Sequence, residues 1–122
     1  MPTDARKIIG RLGERLAAEH FARLGWVIVA RNHKTRHGEI DLIAVDGDTL
    51  VFAEVKTCRV GKRRPWDSLH ERKRSQVRRL AGAWFAEQRP RPYFSHIRCD
   101  AIGIVLDEHD QLVRLDHLKG AF

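Results

Sequence analysis

The chain has 122 residues, of which 43% are hydrophobic and 32% carry a charge, and its formal net charge is +7. This length and composition are typical of a globular protein, so we expect one domain over residues 1–122 and exclude disordered, collagen-like and fibrous proteins. No apolar run approaches the roughly 18 residues needed to cross a bilayer, and the N-terminus lacks the apolar region of a signal peptide. We therefore expect a cytoplasmic protein without a membrane partner.

A helix is predicted at the start of the chain, from about Asp4 to Leu24. Its apolar residues fall on one broad arc at about 100° per residue. Gly25 ends the pattern, and Gly10 and Gly13 lower its intrinsic helix propensity.

Three strands are predicted after this helix, at Trp26–Ala30, Glu39–Val45 and Thr49–Cys58, because each run is rich in β-branched and apolar residues. Asp46-Gly47-Asp48 predicts a hairpin turn between the last two, which makes them antiparallel neighbours.

A second helix is predicted from a Ser-x-x-Glu capping box at Ser68–Glu71 to about Gln88. Two further strands are predicted at Ile97–Leu106 and Gln111–Leu115. The element order αβββαββ therefore indicates the α+β class with one main sheet.

The isolated polar and sulfur-containing residues favour structural interpretations. Cys58 and Cys99 lack zinc-site spacing and are expected to be thiols that pack as small hydrophobic residues. Asp100 interrupts an apolar strand, so we expect a structural hydrogen-bonding role. The histidines are expected at the surface, although His37 and His70 are also placed where they could contact a phosphate.

Positive charge is concentrated in the second half of the chain. Thirteen Lys and Arg lie between Lys56 and Arg98 against three Asp and Glu, so this segment carries +10 and the remainder −3. Such a surface suits phosphate binding, and we predict that it binds nucleic acid. The alternatives are an acidic protein, an acidic membrane surface, or a solvated helix face that only aids solubility. The candidate nucleic-acid-binding residues are Arg59, Lys62, Arg63, Arg64, Arg72, Lys73 and Arg74.

Acidic residues interrupt two apolar strands at positions that the hairpin can bring together. Twelve residues separate Asp41 from Glu54, and Lys56 follows Glu54 on the same strand face. Strict alternation places Glu39 and Asp41 on one face of their strand, with Ile40 and Leu42 on the other. Two carboxylates on adjacent strands suit Mg²⁺ or Mn²⁺, and a nearby lysine suits phosphodiester hydrolysis. The alternative is an ordinary cross-strand ion pair, because this spacing also recurs by chance.

The sequence resembles the YraN family of small bacterial proteins over about residues 8 to 106. The resemblance is carried by Gly13-Glu14, Ala17, Gly25, Asn32, Gly38–Ala44 (GEIDLIA), Leu50–Phe52, Glu54–Lys56 (EVK), Lys73 and Arg98–Asp100. It differs at Thr57, where the family more often carries an arginine.

This family is in turn similar to the restriction-endonuclease-like PD-(D/E)XK superfamily and to archaeal Holliday-junction resolvases. The resemblance implies a restriction-endonuclease-like core, with a mixed central sheet flanked by helices. It also implies a catalytic site that contains Asp41, Glu54, Lys56 and Glu14. Asp41, Glu54 and Glu14 are then the expected ligands of Mg²⁺ or Mn²⁺, and Glu39 is a candidate outer contact.

Three functions remain open from the sequence. The first is a metal-dependent DNA endonuclease acting on branched DNA, and the resemblance to junction-cutting enzymes, which need two active sites, is consistent with a homodimer. The second is a nucleic-acid-binding module that keeps the fold without catalysis. The third is an adaptor whose basic helix meets an acidic protein.

Overall fold

A computed structural model describes residues 2–62, 65–68, 71–88 and 94–122, without the side chains of 2–4, 67–68 and 71–75. The element order αβββαββ confirms the α+β prediction, with a short 3₁₀ turn added at Pro65–Ser68. The helices are α1 (Pro2–Arg23) and α2 (Glu71–Glu87). The strands are β1 (Val27–Thr35), β2 (Gly38–Asp46), β3 (Thr49–Arg59), β4 (His96–Leu106) and β5 (Leu112–Leu118).

The five strands form one mixed sheet in the order β1-β2-β3-β4-β5. Neighbouring strands are antiparallel except β3 and β4, which run parallel. A parallel pair needs a long crossover, and the segment containing α2 supplies it. The hairpin between β2 and β3 closes at the pair Asp46–Thr49, and Gly47 takes the positive φ of 59° that such a two-residue turn requires.

The two helices cover opposite faces of the sheet, so the molecule has two apolar cores. On the α1 side, Phe21 packs with Leu42 and Val51, all fully buried. On the α2 side, Phe52 meets Trp84 edge-on at a ring-centroid distance of 5.5 Å. The central strands are therefore buried on both faces, which explains their nearly continuous apolar sequences. Among the described residues, no helix combines the length and apolar character needed to span a bilayer.

Two strands are longer than the sequence pattern predicts. The pattern ends β1 at Ala30 and β5 at Leu115, but the strands continue to Thr35 and Leu118. Both extensions are rich in polar residues and lie at the edges of the sheet. Cross-strand pairing, rather than an apolar run, holds these segments in extended conformation.

A buried carboxylate joins β4 to β5, as the structural interpretation of Asp100 predicts. The Asp100 side chain is fully buried and accepts two hydrogen bonds from Arg98, at 2.7 and 3.0 Å. It also accepts from Gly120 N at 3.0 Å and lies 2.8 Å from His117 Nε2. His117 Nδ1 is in turn 3.0 Å from His20 Nε2 on α1. The prediction of surface histidines is therefore wrong for His20 and His117, which tie α1 to the sheet.

Asp100 should contribute stability that disappears in acid. Burial alone would raise its pKa, but the hydrogen bonds from His117, Arg98 and Gly120 outweigh burial and lower the pKa to about 2. As pH falls, Asp100 is therefore protonated in the unfolded chain before it is protonated in the folded protein. This difference removes about 2 kcal/mol from the free energy of unfolding between about pH 4 and pH 2.

Urea unfolding across this pH range tests the assignment. The Asp100→Asn protein should be less stable near neutral pH, and its stability should fall less steeply in acid. Asp48→Asn, in the β2–β3 turn, should keep the wild-type slope. An unchanged slope in Asp100→Asn would contradict the assignment.

Candidate active site

The sheet divides between β2 and β3 at the position of the predicted catalytic aspartate. The cross-strand pairs between these strands end at Leu42–Ala53. Beyond that pair β2 stays with β1, and β3 stays with β4 up to Arg59. The Asp41 side chain enters the gap, where its Oδ2 accepts a hydrogen bond from Val55 N at 2.8 Å. The Asp41 side chain thus accepts from a backbone N–H of β3 that receives no backbone partner from β2.

The predicted strict alternation of β2 is wrong at this point. Ile40 packs in the α2-side core together with Ile43, whereas Leu42 packs on the α1 side. The phase of the strand therefore changes between Ile40 and Leu42. The register places Asn32 of β1 opposite Asp41, and Asn32 has a positive φ of 50°. Asparagine is one of the few residues that adopt this conformation readily, and the resulting irregularity lets Asp41 turn into the gap.

Three carboxylates meet above the gap. Oxygen atoms of Glu14, Glu39 and Asp41 all lie within 4.8 Å of one another. Glu14 projects from α1, and the other two side chains come from β2. Arg11 Nη1 lies 3.2 Å from Glu14 Oε1 and 3.8 Å from Glu39 Oε1. Glu39, the candidate outer contact, is thus part of the cluster itself.

Glu54 and Lys56 form an ion pair beside this cluster. Lys56 Nζ lies 3.2 Å from Glu54 Oε1, and Glu54 is only 7% exposed. Glu54 does not belong to the three-carboxylate group, but its negative charge still acts on Asp41. The structure therefore brings Asp41 together with Glu14 and Glu39, and pairs Glu54 with Lys56 beside them.

Burial and mutual repulsion disfavour the charged form of the cluster. Burial first, and then the negative charge of Glu54, raise the pKa of Asp41 to about 8, and the hydrogen bond from Val55 opposes the rise only in part. Burial also raises the pKa of Glu14, against the opposing effect of Arg11. Strongly perturbed carboxyl groups of this kind are concentrated at functional sites.

A close helix-to-strand contact places Glu14. A Cβ atom on Gly13 would overlap Thr57 Oγ1 and would lie 2.9 Å from Thr57 Cβ. Glycine therefore lets α1 approach β3 next to the Glu54–Lys56 pair, and the following residue, Glu14, is held over the gap. The sequence shows Gly13 as a residue that weakens the helix, but the structure gives it a packing role.

The predicted nucleic-acid-binding residues are described only in part. Arg59 is engaged within the protein, since its Nη1 donates to Asp107 O at 2.7 Å and its Nη2 lies 2.6 Å from Asp110 Oδ1. Lys62 is exposed in the turn after β3. The remaining candidates, Arg63, Arg64 and the side chains of Arg72, Lys73 and Arg74, lie outside the described residues, as does His70.

Two residues of the candidate site, Arg11 and Asn32, are not assigned a role from the sequence. Arg11 contacts two cluster carboxylates, and nothing in its sequence context distinguishes it from other helix arginines. Asn32 lies opposite Asp41, and its side chain opposes in small part the burial that raises the pKa of Glu14. Its signal is the family resemblance, where it is one of the matching residues.

Comparisons with known proteins identify close relatives of the chain. The model of the "Uncharacterised protein family UPF0102" matches residues 13–104. A UPF0102 protein of Acidothermus cellulolyticus is 39% identical, over 98% of this chain and 96% of its own. A UPF0102 protein of Pelotomaculum thermopropionicum is 40% identical over 98% of both chains. A UPF0102 protein of Frankia alni is 41% identical over the full length of both.

Substitution of Gly13 should show that close packing outweighs helix propensity. We expect Gly13→Ala to destabilise the fold by about 1–3 kcal/mol, because α1 must move away from Thr57. The matched control is Gly10→Ala, one turn earlier, where a Cβ atom would meet nothing within 4 Å. Alanine there should stabilise the protein by up to about 1 kcal/mol. Thermal unfolding distinguishes these outcomes, and equal stability of the two variants would contradict the packing role.

Proposed function

The chain belongs to the uncharacterised protein family UPF0102, the YraN family of the sequence resemblance, and we propose that it is a divalent-metal-dependent DNA endonuclease. The proposal depends on one observation above all others. Three carboxylates lie within 4.8 Å of one another beside a buried glutamate–lysine pair, at the point where two central strands separate. A structural role alone gives no reason to gather three carboxylates at one point and to place a fourth acid beside them.

The donor set fits a hard divalent cation. Mg²⁺ takes oxygen ligands at about 2.0–2.1 Å, so two oxygens on opposite sides of one ion lie about 4.2 Å apart. The oxygens of Glu14, Glu39 and Asp41 are already within 4.8 Å of one another, and small side-chain rotations would bring them to that spacing. A bound Mg²⁺ or Mn²⁺ would neutralise the phosphate and lower the pKa of a bound water.

Lys56 is suited to stabilise the charge that develops on the phosphate. Its ammonium group carries hydrogen-bond donors, and one of its contacts, with Glu54, fixes it next to the carboxylates. Donors held in place before the reaction stabilise the transition state more than mobile ones, because they need no reorganisation. Glu54 thereby acts as a positioning residue for Lys56, in addition to any contact with the metal. The reaction adds water across a P–O bond and yields a phosphate monoester and a hydroxyl group.

The charge of the chain favours a nucleic acid as the substrate. The net charge is +7 even though acidic residues converge at the candidate site. Phosphates are attracted to such a surface, whereas a site lined only by carboxylates would repel them. The resemblance to Holliday-junction resolvases leads us to propose branched DNA, cut by a homodimer.

Replacement of single site residues should separate cleavage from binding. We expect Asp41→Asn to abolish cleavage of DNA in Mg²⁺ or Mn²⁺, because a neutral amide is a poorer ligand for either ion. Lys56→Met should lower the cleavage rate by about 10²–10³-fold. Asp46→Asn is the matched control, since Asp46 is on the same strand at the hairpin end. Labelled four-way junction, flap and linear duplex DNA, each with Mg²⁺, Mn²⁺ or EDTA, provide the assay.

The same assay distinguishes the nuclease from a binding module. A nuclease gives metal-dependent products that Asp41→Asn lacks, while both proteins bind DNA. A binding module gives salt-sensitive binding and no products with any metal. Cleavage by Asp41→Asn at the wild-type rate would contradict the assignment of the site.

A further inference from the structure

A cleft of about 680 Å³ opens directly beside the candidate active site. It lies between the first half of α1 and the second half of β3, and it shares Glu14 and Lys56 with the site already described. Its volume is within the roughly 300–1,000 Å³ range of small-molecule sites. A ligand bound at the carboxylates could therefore extend directly into the cleft.

The cleft forms because α1 contacts β3 at Gly13 and lies farther from it at Gly10. A Cβ atom on Gly13 would overlap Thr57, whereas a Cβ atom on Gly10 would meet nothing within 4 Å. The two glycines are three residues apart and so lie near one another on the helix surface. The helix and the sheet thus form a wedge that opens away from Glu14.

The lining of the wedge combines apolar and cationic groups. Ile9, Val55 and Cys58 contribute apolar surface, and the exposed cations Arg6 and Lys62 also line it. Arg59 forms part of the wall but directs its guanidinium group to Asp107 and Asp110. A ligand that matches this lining has an apolar surface and an anionic group. A nucleotide has both.

We propose that this cleft binds one unpaired nucleotide of the DNA strand whose phosphate lies at the carboxylates. A base inside a duplex is stacked and paired, so it enters a cleft only after it leaves the helix. A base in a single-stranded arm, a flap or a branch point enters without that cost. The inference depends on the proposed nuclease function and specifies its substrate as DNA with an unpaired nucleotide next to the scissile phosphate.

A substitution at Gly10 can fill the cleft and leave the fold intact. Leucine has a higher helix propensity than glycine, and the space beyond Gly10 is open. The matched control is Gly82→Leu in α2, because Gly82 is also a helical glycine with nothing within 4 Å of a Cβ atom. It lies on the opposite side of the sheet from the cleft. Thermal unfolding should find both variants folded.

Binding is measured by fluorescence anisotropy with a labelled duplex that carries a single-stranded arm, and with the same duplex without the arm. Ca²⁺ replaces Mg²⁺ to slow cleavage. Gly10→Leu should bind the armed DNA about tenfold more weakly than the wild type, a loss of about 1.4 kcal/mol, because the leucine side chain occupies the space of the base. Gly82→Leu should bind it as the wild type does, and all three proteins should bind the blunt duplex equally. Gly10→Ala should have a smaller effect than Gly10→Leu.

The outcomes separate the two proposals. If Gly10→Leu binds armed DNA as tightly as the wild type, the nucleotide cleft is excluded and the nuclease proposal is unaffected. Cutting of fully paired duplex as fast as armed DNA would also overturn the cleft. If the wild type binds no DNA of either kind, both proposals fail together.

Discussion

The hydrogen bond from Val55 N to the Asp41 carboxylate, 2.8 Å long, occupies the point at which the sheet divides. On one side of it β2 and β3 form an ordinary antiparallel hairpin, and on the other each follows its outer neighbour. The gap provides space for side chains of both strands, and α1 covers it because Gly13 fits against Thr57. The carboxylate cluster forms at this division, and the Glu54–Lys56 pair and the cleft lie beside it.

Two aspartates of the same sheet, the buried Asp100 and the half-buried Asp41, lie in opposite electrostatic environments. Asp100 accepts hydrogen bonds from Arg98 and Gly120 and pairs with His117, and its pKa falls to about 2. Asp41 has one backbone donor and several carboxylate neighbours, and its pKa rises to about 8. The first arrangement stabilises the fold, and the second works against it at neutral pH. Residues that destabilise a fold in this way are typical of sites kept for function.

The sequence predicts most of the fold and only part of the site. The order αβββαββ and the β2–β3 hairpin follow from periodicity and turn residues, because these elements are long and strongly patterned. The polar ends of β1 and β5 do not, because pairing at the sheet edges sets them. Motif spacing and the family resemblance predict Asp41, Glu54 and Lys56 as site residues. The sequence could not reveal that Glu39 belongs to the cluster. The alternation of β2 changes opposite Asn32, and this change depends on backbone geometry that the sequence pattern does not contain.

The proposed nuclease requires Glu14, Glu39 and Asp41 to hold a divalent cation together. Titration of the protein with Mn²⁺, followed by electron paramagnetic resonance of the free ion, measures this binding without DNA or catalysis. We expect a Mn²⁺ site in the wild type that Asp41→Asn loses and Asp46→Asn keeps. Equal Mn²⁺ binding by the wild type and Asp41→Asn would show that the three carboxylates do not form the metal site.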